Sequence, residues 1–285
     1  MRRNFPAVAL VVSALSLASS ACSLATTRME RALDPSMERV AGALVYLQTA
    51  AGISSNPQRM IRSDGYVYLS DIGPELRYMA VTGDSASYRA LRRFAERDMV
   101  RREAAGAVPR RRYREGTPFE AASPFAALRF TEALTLGWQT FGDTASAILA
   151  AQMAPVAPLA RELTVPRTET DQVAEQCVIA ETTIASNPKA AAALLDRSRR
   201  YNGSREVPEE SALGLRGSDA TLVALACLTR VALELRDPDA SVRHLDTMLD
   251  YLDPLMAHSG RPDLGVASDV LMALRKAQAT GPKYK

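Results

Sequence analysis

Histidine, cysteine and tryptophan are nearly missing from this chain of 285 residues: it has His244 and His258, Cys22, Cys177 and Cys227, and the single Trp138. No Cys-x-x-Cys occurs, so the ligand spacing of a structural zinc site is lacking and neither a metal nor a cofactor is expected. An excess of one charge is lacking too. Once the first 21 residues are set aside, 33 basic residues face 32 acidic ones, a balance without the electrostatic footprint of nucleic-acid binding. The uncharged run from Ala7 to Leu17 falls short of the about 20 apolar residues that span a bilayer. What the chain does have is apolar content, 47%, ample for a core of one or two domains.

The short apolar run has a specific context. It follows Arg2 and Arg3 and ends at Ser19-Ser20-Ala21-Cys22, the layout of an export signal with a small-residue cleavage site. Residues 1–21 are therefore read as a signal peptide. Ser19-Ser20-Ala21-Cys22 resembles the bacterial lipobox, which makes Cys22 the expected lipidation site, and Ser23 resembles an outer-membrane sorting signal. Arg2-Arg3 with Phe5 partly resembles a twin-arginine signal, but Pro6 interrupts that pattern and ordinary secretion is expected. The expected product is an outer-membrane lipoprotein held to the membrane by its anchor, with a soluble periplasmic protein as the alternative. In an oxidising compartment Cys177 and Cys227 form either a disulfide or two small buried helix residues.

Residues 22–34 read as a polar tether and 35–285 as one helical domain. Ser36 is placed to cap a helix in which Met37, Val40, Leu44 and Leu47 recur at helical spacing. Further helices are predicted over 74–82, 85–104, 124–141, 144–162, 169–186, 188–200, 219–236, 239–257 and 265–279, and only 65–69 reads as extended. Gly83-Asp84-Ser85-Ala86-Ser87 recurs as Gly142-Asp143-Thr144-Ala145-Ser146, with an echo at Asp237-Pro238-Asp239-Ala240-Ser241. Glycine ends one helix in the left-handed conformation and Asp or Ser caps the next, which makes an antiparallel hairpin. The segment around Leu222, Val223, Leu225, Cys227 and Leu228 is apolar on most sides and belongs in an inner layer. The class is all-α: stacked helical hairpins, as an (α/α) toroid, complete or not, rather than a simple bundle.

Three stretches carry a family resemblance. Ser70-Asp71-Ile72-Gly73-Pro74-Glu75-Leu76-Arg77-Tyr78-Met79-Ala80-Val81-Thr82-Gly83-Asp84, Leu128-Arg129-Phe130-Thr131-Glu132-Ala133-Leu134 with Trp138 and Gly142-Asp143, and Gly265 to Leu274 resemble helices of (α/α)₆-toroid glycoside hydrolases, notably family eight. The resemblance implies a toroid acting on polysaccharide, with Asp71 where the family has its general acid, one carbon shorter. It also implies a second acid where this chain has Ala127. A glycosidase needs two carboxyl groups, so Asp64, Glu75, Glu120 and Asp219 enter as substitutes.

Asp71 and Asp64 are accordingly the catalytic candidates, although an Asp ahead of Gly73-Pro74 also reads as a helix cap. Tyr66, Tyr68, Tyr78 and Trp138 are the candidate substrate-binding residues, since sugar rings stack on flat faces; ordinary core packing is the competing role. Arg110-Arg111-Arg112 with Tyr113 and Arg114, in a predicted loop from Pro109 to Pro118, suits an acidic polysaccharide or a phosphate-bearing headgroup, or a network with Glu115 and Glu120. The sequence-level expectation is an envelope-anchored protein that binds or processes polysaccharide, in effect a degenerate glycosidase. The alternative is a non-catalytic scaffold for an envelope protein partner.

Overall fold

The structure is a computed structural model and describes residues 27–51, 60–153, 168–203, 215, 219–258 and 262–282. The signal peptide, Cys22, the tether up to residue 26 and the second half of the predicted 144–162 helix lie outside the described residues. Ten helices are labelled here: α1 Met37–Ala51, α2 Leu69–Thr82, α3 Ser85–Phe94, α4 Pro124–Phe141, α5 Thr144–Gln152, α6 Glu169–Thr183, α7 Pro188–Arg197, α8 Asp219–Glu234, α9 Pro238–Ala257 and α10 Leu264–Thr280. Two short antiparallel ladders interrupt them. One pairs β1 (Val67–Tyr68) with β4 (Arg112–Tyr113), the other β2 (Val100–Glu103) with β3 (Gly106–Pro109). The fold is all-α with stacked helices. Among the described residues no helix is long and apolar enough to cross a membrane.

Sequence turns set the stacking. Gly83 ends α2 at φ 78° and the Asp84 carboxylate accepts from Ser87 N; Gly142 ends α4 at φ 63° and Asp143 accepts from the Ser146 hydroxyl at 2.7 Å. The third turn does the same without glycine: Arg236 takes φ 55° and Asp237 caps α9 through Ala240 N. Each turn sends the chain back antiparallel, so one member of each pair lies inside. The inner helices touch in the order α4, α2, α10, α8, α6, and α6 in turn touches α4. Outside them, α3 and α5 lie on α4, α7 on α6, α9 on α8, and α1 on both α9 and α10. One apolar cluster gathers α1 with α6 to α10; a second gathers α2 to α5.

The structure departs from the sequence reading in four places. Residues 27–33, taken as tether, are helical and bury Met29 and Leu33, which carry the Met37, Val40, Leu44 stripe back two more turns. Ser36 does not act as a cap side chain; its hydroxyl donates to Asp246 of α9 at 2.7 Å. Helix α2 begins at Leu69 rather than at residue 74, so Pro74 sits inside it. Close packing accounts for its neighbour: a Cβ on Gly73 would meet Phe130 N of α4 at 3.0 Å, a contact that only a bare Cα relaxes. Finally, the predicted 85–104 helix stops at Phe94, passes through a π-turn at Ala95–Met99 and becomes β2, and the arginine loop is partly strand β4.

Candidate functional site

Several chemistry-bearing residues meet where α2, α8 and α10 begin. Gly65, at φ 83°, closes the Ser63-Asp64-Gly65 turn, with Gly65 N donating to Arg62 O and Arg62 N to Tyr66 O. That turn aims Arg62 at the start of α2. Its Nε and Nη2 donate to Asp71 Oδ2 and Oδ1, both at 2.8 Å, while Nη1 lies 2.7 Å from Asp263 Oδ2 ahead of α10. Gly265 N donates to Asp71 Oδ1 at 3.2 Å. Asp71 is only 1% exposed. Burial disfavours the Arg62 charge, but Asp71 and Asp263 outweigh burial and move its pKa up. Asp219, the first residue of α8, lies beside this group; burial and then the Asp263 carboxylate push it up to about 8.

The strand before α2 completes this rim. Asp64 accepts from Tyr66 N at 3.0 Å and from the Tyr68 hydroxyl at 2.8 Å, so it holds the turn and the strand together. Arg62 lies 4.3 Å from the centre of the Tyr68 ring, Arg112 4.6 Å from that of Tyr66 and Arg114 5.7 Å from the same ring. Glu120 pairs with Arg111 and Arg112.

Deeper between the inner helices lies a second polar group. Arg230 of α8 grips Glu181 of α6 through Nε and Nη2 at 2.8 and 2.9 Å, and Arg77 of α2 adds contacts to the same carboxylate at 2.8 and 3.0 Å. Burial alone would raise the Glu181 carboxyl; Arg230 and Arg77 hold it well below the usual range. Arg230 Nη1 donates to Asp269 O, and Arg129 of α4 pairs with the Asp269 carboxylate. Glu75 accepts from the Ser268 hydroxyl. Burial pushes Glu132 up to about 7 although Arg77 pulls the other way. These bonds join α2, α4 and α10 with α6 and α8.

Of the residues singled out from sequence, the rim unites Asp64, Tyr66, Tyr68, Asp71 and Asp219. Tyr78 is buried, with Arg275 over its ring at 5.1 Å. Trp138 is 48% exposed near the C-terminal end of α4, the end opposite the rim. Glu75 belongs to the deep network and Glu120 to the arginine strand. Cys177 and Cys227 are buried free thiols, with Cys227 pushed up by burial first and by Cys177 second. Sequence reading missed Arg62, Asp263, Arg230 and Glu181. Only Arg62 had a local signal, because the Asp64-Gly65 turn folds it back on α2. Compared with family models, with curated proteins and with solved structures, the chain matches none.

Proposed function

We propose that this is an envelope-anchored protein of toroid type that grips polysaccharide at the rim of α2, α8 and α10 without cleaving it, with the lipid carried on Cys22. The observation that supports binding over hydrolysis is the engagement of the rim acids with one another and with Arg62. A glycosidase sets its two carboxyl groups about 5–5.5 Å or about 6.5–9.5 Å apart, with the sugar between them. Asp71 has both oxygens in the Arg62 fork, so a proton for a leaving group would have to displace one of those bonds. Asp219 is hydrogen-bonded to Asp263, which after burial helps push it up to about 8, so this second acid is engaged with its neighbour rather than set apart across a sugar. The more exposed groups of the rim, Asp64, Tyr66 and Arg114, still offer donors and acceptors to a polysaccharide's hydroxyls. The ring of contacts among α4, α2, α10, α8 and α6 supports the toroid reading.

A second reading, a scaffold for a protein partner, draws support from Trp138, an exposed aromatic of the kind that anchors interfaces. Titration of the mature protein with envelope polysaccharides separates the two. Polysaccharide binding predicts saturable uptake weakened by Tyr66→Ala and unchanged by Trp138→Ala. Absence of saturable uptake would leave the scaffold reading in its place.

A further inference from the structure

The tyrosines of the rim do not offer bare faces. Tyr68 is the cross-strand partner of Arg112, and one further step along the antiparallel pair brings Arg114 beside Tyr66. The outcome is a run in which planar cations and phenol rings alternate: Arg62 on Tyr68, then Arg112 and Arg114 on Tyr66, the two rings 6.5 Å apart and nearly edge-on. A neutral sugar would stack on an open ring face. Here the guanidinium groups lie against those faces, and the rings act instead as shelves that hold the forks in place. A fork fixed in this way loses less freedom when it pairs with a carboxylate.

The charge of this run is only partly spent. Arg62 is committed to Asp71 and Asp263, and Arg111 to Glu120 at 3.3 Å. Arg112 is held by the Tyr68 hydroxyl and by a looser pairing of its buried Nε with Glu120 at 3.5 Å, with no close carboxylate pair like that of Arg62. Arg114 is exposed and meets no carboxylate among the described residues. Two residues apart on extended chain, Arg112 and Arg114 sit about 7 Å from one another, which suits acids carried on successive units of a polymer. Phosphates on a nucleic acid would answer the charge, but binding a single strand also requires open aromatic faces for its bases, and those faces are covered.

Resting on the polysaccharide reading above, we propose that the ligand is a carboxylate-bearing polysaccharide whose acid groups are read in bidentate fashion by Arg112 and Arg114, with Tyr66 as their positioning shelf. The probe is a polyuronate, set against the same polymer after chemical reduction of its carboxyl groups, titrated into the mature protein. Wild type is expected to bind the polyuronate at least about tenfold more tightly than the reduced polymer, as the loss of hydrogen bonds to charged groups implies, with the gap narrowing as salt is raised. Arg114→Gln and Arg112→Gln should each lower affinity for the polyuronate by more than for the reduced polymer, removing most of that preference; Arg114→Lys should restore charge but only part of the preference. Arg114 is exposed, so its variants keep the fold, and unchanged helical circular dichroism checks that.

Equal affinity for the two polymers, or an equal loss for both in Arg114→Gln, would overturn the carboxylate proposal while polysaccharide binding itself stood. Binding of neither polymer would overturn both readings. Tighter binding of single-stranded DNA than of polyuronate would also overturn the proposal.

Discussion

Replacing Arg62 with Met keeps an unbranched stem of similar length and deletes the fork that fixes the rim. Two charge-assisted bonds to Asp71 at 2.8 Å and the 2.7 Å approach to Asp263 disappear together. The site is closed, with the Arg62 side chain 6% and Asp71 1% exposed, so water cannot replace the lost partner. Removing one member of a buried pair costs about 3–5 kcal/mol because a charge is left without compensation. For a chain of this size each kcal/mol moves the melting temperature by about 2–4 °C, so Arg62→Met should melt roughly 10 °C below wild type. Urea unfolding followed by circular dichroism supplies the free energy, and calorimetry the temperature. The Arg62→Met, Asp71→Leu double variant should recover part of the loss, since it has no orphan carboxylate. A single variant within about 1 kcal/mol of wild type, below the cost expected for a broken buried pair, would refute the claim that Arg62 and Asp71 form a closed structural pair.

Other expectations are narrower. His244 is buried with neither ring nitrogen hydrogen-bonded, and burial, helped by Arg243, pushes its pKa down to about 4. The unfolded chain therefore takes up this proton first, so the contribution is full above pH about 6.5 and is lost as pH falls toward 4, on the order of 3 kcal/mol in all. His244→Leu should flatten that slope in urea midpoints measured at pH 7 and pH 4.5, and an unchanged slope would count against it. Arg236→Gly should stabilise by up to about 1 kcal/mol, because Arg236 holds a left-handed backbone that glycine adopts freely; a loss on thermal unfolding would contradict this. Labelled palmitate should enter the wild type and not Cys22→Ser, and wild type without label would mean that Cys22 is not acylated.

Helices were legible where local chemistry is sufficient. Gly83-Asp84 carries both a helix stop and the next helix's cap, while Gly142 ends its helix and Asp143 holds the Ser146 hydroxyl instead of capping a backbone N–H. Strands β2 and β3 were not legible, because Arg101, Arg102 and Glu103 are all exposed and show no alternation. They form a tight hairpin that Arg110 N extends by donating to Met99 O, whereas it is β1 that depends on distant backbone, with Leu69 N donating to Arg111 O. At the rim, Asp64, Tyr66, Tyr68 and Asp71 stood out because turn and strand signals converge on them. Asp263 and Arg230 did not, since their roles arise only when segments about 200 and 50 residues from their partners are brought alongside. Glu132 shows the same limit: nothing next to it in sequence reveals that burial moves its proton uptake to about pH 7.

Whether the rim binds without cleaving is decided by counting new reducing ends while the mature protein is saturated with polyuronate. Saturable binding by titration is expected with no release of ends above a protein-free control, because the rim acids are engaged with Arg62 and with each other. A steady, protein-dependent rise in reducing ends that disappears in Asp71→Asn or Asp219→Asn would contradict it, and would make this rim a hydrolytic site.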